Sequence, residues 1–205
     1  MTLPESLPAR LYLLAYDTKK NRITARSQLG LVLRAAALAD LYLAGRVTDE
    51  KGKALVTGDR RPTGDPLLDE VLQRLAEHRP RSWRRWIARG QPAVRAVRTQ
   101  LEDGRYIRVG HRRILPDRVE LLDRTAVQRY ADELRAELRR PAYRAEPRTA
   151  AVLALAARGE IATVISRRER REYRQHLDEL AVRTGPIADA LRKAWRAKQA
   201  QQASG

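Results

Sequence analysis

From Leu29 to Leu43 the chain places apolar side chains on nearly every face of a helix. Leu29, Leu31, Val32, Leu33, Leu38, Leu41 and Leu43 are separated mainly by alanines, and only Arg34 and Asp40 interrupt them. A helix that is hydrophobic all round has no side to give to water and must be wrapped by other elements. This segment is therefore expected to be the central helix of a layered, mostly helical domain, closed by Gly45 at its C-terminal end.

The flanking sequence supplies the wrapping. Leu7 to Tyr16 reads as a first buried helix, followed by a polar turn at Asp17, Lys19, Lys20 and Asn21. Arg46–Val47–Thr48 and Ala54–Leu55–Val56 flank a DEKGK turn and read as a β-hairpin. In PTGDPLLDE, Asp65 is placed to cap a helix, Pro66 fits its first position, and Asp69 and Glu70 suit its positive end. Helices are expected over about 67–77, 82–88, 92–101, 124–138, 148–157, 167–180 and 186–198, with a second hairpin inside 105–122. The expected architecture is a mainly helical, all-α single domain over 1–198 with one or two β-hairpins, and a disordered tail over 199–205.

Composition limits the chemistry. The 205 residues contain no cysteine, so disulfide and thiolate chemistry is excluded. His78, His111 and His176 lie far apart and form no ligand pair at helical spacing, so neither a metal nor another cofactor is expected. The acidic pairs Asp69–Glu70, Asp132–Glu133 and Asp178–Glu179 are adjacent in sequence and diverge on a helix. No serine or threonine sits in a nucleophile-elbow setting, and PTGD lacks the spacing and lysine of a phosphate-binding loop. The chain reads as a binding protein rather than an enzyme. It shows no export signal at its beginning, and its apolar runs are too short to span a bilayer.

The net charge of +17 points to anionic partners, either lipid or nucleic acid. Between Arg79 and Arg113 there are eleven arginines and only two acids, Glu102 and Asp103. Trp83, Trp86 and Tyr106 lie among them; the two tryptophans suit either a core or a membrane interface. Arg34, a charge in an apolar helix, needs a counter-ion. One reading is an internal salt bridge to a carboxylate near the PTGD loop. The other is a pocket filled by an external phosphate, with Arg95 and Arg98, at i and i+3, completing it.

These residues resemble the Golgi phosphoprotein 3 family, in particular its bacterial members. The similarity runs in order through LYLLAY, LVLRAAALADLYLAGR, PTGDPLLDEVL, Trp86–Ile87, VRAVRTQLEDG and PRTAAVLALA. It implies a mostly helical domain that binds a phosphoinositide, phosphatidylinositol 4-phosphate, through a basic pocket beside a membrane-entering hairpin. It puts the pocket arginines at Arg34, Arg95 and Arg98, and the hairpin contacts at Ile114, Leu115, Leu121 and Leu122. Ala25 stands where the family's eukaryotic pocket has tryptophan, with Arg26 beside it as a compensating charge. The expected function is peripheral binding to an anionic phosphorylated lipid at the cytoplasmic, inner face of a membrane, with an acidic protein as a further partner if the chain acts as an adaptor. Nucleic-acid binding by a winged-helix arrangement over Leu29 to Val56 is the weaker alternative, because that helix is too apolar to read bases. The sequence leaves oligomeric state open.

Overall fold

The computed structural model describes residues 2–59, 61–89, 91–110 and 117–204, with the side chains of Gln91 and Pro92 excepted. The chain begins with α1 (Leu7–Leu14), a short ribbon β1 (Tyr16–Asp17) and β2 (Arg22–Ile23), and the long α2 (Arg26–Leu43). Strands β3 (Val47–Glu50) and β4 (Lys53–Val56) lead to α3 (Pro66–Glu77), β5 (Arg81–Ser82), α4 (Trp83–Ile87) and α5 (Gln91–Asp103). Strands β6 (Ile107–Gly110) and β7 (Arg118–Leu121) precede α6 (Arg124–Glu137), a 3-10 turn and α7 (Pro147–Arg158). Helices α8 (Arg167–Glu172), α9 (Arg174–Val182) and α10 (Ile187–Ala203) complete the described chain. The fold is mainly α with small antiparallel strand pairs, as the sequence indicated.

Helix α2 is the axis, packed against α1, α3, α4, α5, α7 and α10. From Gln28 to Leu41 every one of its residues is buried, so it presents no face that could enter a nucleic-acid groove. Its C-terminus closes as its sequence suggests. Gly45 takes φ +69° and Arg46 N–H donates to Leu41 O at 2.9 Å, a Schellman-type cap that only a left-handed residue permits without strain. Helix α7 approaches so closely that a Cβ on Gly159 would lie 2.2 Å from Val32 Cγ2.

The PTGD segment is a structural joint. Asp65 Oδ1 accepts from the N–H groups of Leu67 and Leu68, while its Oδ2 accepts from Gln100 at 2.8 Å, tying α3 to α5. Trp83 and Trp86 belong to the core, and Trp83 Nε1–H donates to Asp49.

Four local features differ from the sequence reading. The turn at residues 18–21 is closed by the β1–β2 ribbon, and β5 adds a third strand to the β3–β4 hairpin. Both additions are two residues long, too short to show a period-2 pattern. The helix expected over 167–180 is broken at Tyr173 into α8 and α9. Helix α10 runs on to Ala203, past the point at which a disordered tail was expected, because the alanines and glutamines there are good helix formers.

Asp40, only 3% exposed, is the second buried charge in α2. Its Oδ2 accepts from Leu7 N–H at 2.6 Å, and its Oδ1 pairs with Arg148 at 2.6 Å, joining the starts of α1 and α7 to α2. Burial pushes its carboxyl up to about 6, with the Leu7 hydrogen bond and Arg148 opposing. The folded protein thus holds a proton that the unfolded chain releases near 3.8. This stabilising proton uptake is fully present below the unfolded value and is lost as pH rises through about 6, at roughly 1.4 kcal/mol per unit. In urea titrations, the stability difference between the wild type and Asp40→Asn should fall between pH 4 and pH 6, about that steeply. A difference that stays flat over this window would contradict the account.

Candidate functional site

A cavity of about 700 Å³ opens where the first turn of α2 meets α5, β2 and β7. Its cations come from separate elements: Lys20 from the β1–β2 turn, Arg22 from β2, Arg26 from α2, Arg98 from α5 and Arg118 from β7. Among the described residues, Asp117 is the one carboxylate in the lining, and Arg98 pairs with it at 3.0 Å. Tyr12, Leu29, Val94 and Val119 supply apolar wall. The Tyr12 phenol is pushed up to about 12 by burial, against the pull of Arg98 and Arg26, so it stays protonated as a potential donor.

Helix α2 reaches this cavity with its N-terminus uncapped by any side chain and with no acid in its first turn. The residue at the cap position is Ala25, held at φ +54° in the left-handed region that alanine rarely occupies. Unpaired N–H groups and the positive end of the helix dipole add to the field of Arg26 and Arg98. The arrangement suits an anion with several oxygens.

Of the arginines singled out in the sequence, Arg98 and Arg26 meet at this cavity, whereas Arg34 and Arg95 do not line it. Arg34 is 3% exposed and its Nη2 donates to Glu70 Oε1 and to Arg89 O, each at 3.3 Å. Burial lowers its pKa and Glu70 opposes that shift. Glu70 also holds Arg74 at 3.0 Å. The internal salt bridge is therefore the reading the geometry favours, and Arg34 joins α2 to α3 and α4. Arg95 is exposed beside a separate cavity of about 460 Å³ with Glu70, Arg74 and Asp103. A spacing of three placed Arg95 and Arg98 on one face, but 300° of rotation over three residues leaves them about 60° apart, enough to address different cavities. Sequence reasoning missed Lys20, Arg22 and Arg118, whose convergence depends on the β2–β7 contact.

The hairpin residues divide in a similar way. Ile114 and Leu115 fall within 111–116, outside the described residues. Leu121 is 4% exposed and packs into the core, which corrects its expected role as an outer contact. Leu122, 45% exposed, points the other way, as alternation along an extended chain requires.

Comparison with family models decides the relationship. A model described as Golgi phosphoprotein 3 (GPP34) matches residues 7–198, nearly the whole chain. The chain belongs to the Golgi phosphoprotein 3 family. Comparison with curated proteins finds no match. The Golgi phosphoprotein 3 match begins at the first residue of α1 and ends within α10, so it takes in every element that lines the basic cavity. Among the described residues, no helix is long and apolar enough to cross a membrane.

The division between Arg34 and Arg98 has a measurable consequence. Arg34→Met should lower unfolding free energy by about 2–4 kcal/mol in urea titrations, because it breaks a buried pair and leaves the Arg89 carbonyl without its donor. Arg98→Met removes a half-exposed pair and should cost about 1 kcal/mol or less. Equal costs would contradict this assignment.

Proposed function

We propose that the chain is a peripheral membrane-binding module that takes a phosphorylated, anionic lipid headgroup into the basic cavity. The observation that carries the reading is the convergence of five cations and an uncapped helix N-terminus on one cavity with a single lining carboxylate among the described residues. Arg26 and Arg98 are the central ligands in this reading, with Arg22 and Arg118 at the rim. The similarity to Golgi phosphoprotein 3 proteins, expected from sequence to bind a phosphoinositide, supports the same chemistry. Arg34 then acts indirectly, by fixing α2 against α3 and α4.

The cavity lies beside the start of β7, and the exposed Leu122 follows the other end of that strand. A headgroup in the cavity would bring the β6–β7 hairpin towards the bilayer surface. Ala25 adds no aromatic side chain at the start of α2 to supplement Tyr12, which favours recognition of phosphate charge over the stereochemistry of the sugar. Binding at the inner face of a membrane in the cytoplasm, without catalysis and with an acidic protein as a second partner, completes the proposal.

Liposome co-sedimentation at about 0.15 M salt tests it. The wild type should bind phosphoinositide vesicles more tightly than vesicles of a generic anionic lipid, and neutral vesicles least. With about 1 kcal/mol from each basic residue, Arg26→Ala/Arg98→Ala should weaken phosphoinositide binding by about 30-fold. Equal binding to all anionic vesicles, indifferent to the double substitution, would reject the cavity as the headgroup site.

A further inference from the structure

A second basic groove lies near the first turn of α2, where Lys198 reaches Ser27. It runs between β5 and α4 on one side and α10 on the other, with a volume of about 590 Å³. Its floor includes the small side chains of Ala194 and Ala197, and its walls carry Lys53, Arg81, Arg84, Arg85 and Lys198. Among the described residues, no carboxylate lines it.

Some surface arginines take acidic neighbours, as Arg135 does with Asp132, Arg140 with Glu137 and Arg192 with Asp189. Among the described residues, none of the five groove cations is in an ion pair. Gathering like charges around one concavity is unfavourable through mutual repulsion, and an anion relieves it. Two of the five are already held in place. The Arg81 guanidinium lies 6.0 Å from the centre of the buried Trp86 ring, and Lys198 Nζ donates to Ser27 O. Positioned cations bind with less loss of side-chain entropy than free ones.

We infer that this groove is a second anion site, specific for ligands that carry two or more phosphoryl groups. The cations come from β4, β5, α4 and α10 around a groove of about 590 Å³, so a linked set of phosphoryl groups can engage more of them than one phosphate. Guanidinium forks at Arg84 and Arg85 suit bidentate contact with phosphate oxygens. The groove shares no lining residue with the first cavity, so it stands independently of the headgroup reading. The two are neighbours all the same, because Ser27, which receives Lys198, follows Arg26. The phosphoryl groups can come from a soluble polyphosphate or from a multiply phosphorylated lipid, since the recognised chemistry is the same.

Isothermal titration of the full chain with inorganic tripolyphosphate, at about 0.15 M salt, tests the site. The variants are Arg84→Gln/Arg85→Gln in the groove, Arg26→Ala/Arg98→Ala in the first cavity and, as a charge-matched control, Arg167→Gln/Arg168→Gln on α8. Both groove arginines and both control arginines are exposed, so folding should be retained. The groove variant should lose at least about 10-fold in tripolyphosphate affinity, while the control and the first-cavity variant keep a site of wild-type affinity, and orthophosphate should bind the wild type far more weakly. A second arm, using vesicles with a bisphosphorylated phosphoinositide, identifies the source. Loss of vesicle binding in the groove variant assigns a lipid, and unchanged vesicle binding assigns a soluble ligand. An equal loss in the α8 control would overturn the proposal, because charge alone would then explain the binding. Random-sequence duplex DNA that outcompetes tripolyphosphate and is lost in the same variant would overturn it in favour of a nucleic-acid surface.

Discussion

The structure depends on the burial of α2 on all sides. An 18-residue helix without a solvent face can exist only if six other helices surround it and if its polar groups find partners inside the protein. Both interior charges meet that requirement by joining elements. Arg34 reaches Glu70 on α3 and the Arg89 carbonyl after α4, and Asp40 takes the first N–H of α1 and the Arg148 guanidinium of α7. Each charge thereby fixes the position of neighbours that apolar packing alone would leave free to slide.

The same burial decides where anion chemistry can occur. The first turn of α2, with Arg26 and an uncapped N-terminus, leaves the core, and α5 and β7 bring Arg98 and Arg118 to that opening. The second groove lies near the same turn, reached by Lys198 through Ser27. Two basic concavities thus lie near the N-terminal turn of a buried helix.

Much of the fold was legible because it rests on local signals. The all-apolar run identified α2, Asp65 and Pro66 marked α3, and Gly45 marked the end of α2, each by a backbone requirement that one residue type meets best. The two-residue strands were not legible, since their pairing is set by tertiary contact. The site was half legible. Arg26 and Arg98 could be named, but the choice between an internal and an external anion for Arg34 turned on Glu70, which lies 36 residues away in sequence. Lys20, Arg22 and Arg118 gave no signal, because only the β2–β7 contact brings them together. Leu121 and Leu122 show the limit of apolarity as a guide, as adjacent leucines on a strand end face opposite directions.

The most direct measurement is an NMR titration of the arginine Nε–Hε resonances with the water-soluble headgroup of a phosphoinositide. The account predicts saturable shifts at Arg26 and Arg98, with the Arg34 resonance unmoved behind its contact with Glu70. Shifts at Arg34 that equal or exceed those at Arg98 would contradict it, and would mean that the anion enters by opening the α2–α3 salt bridge.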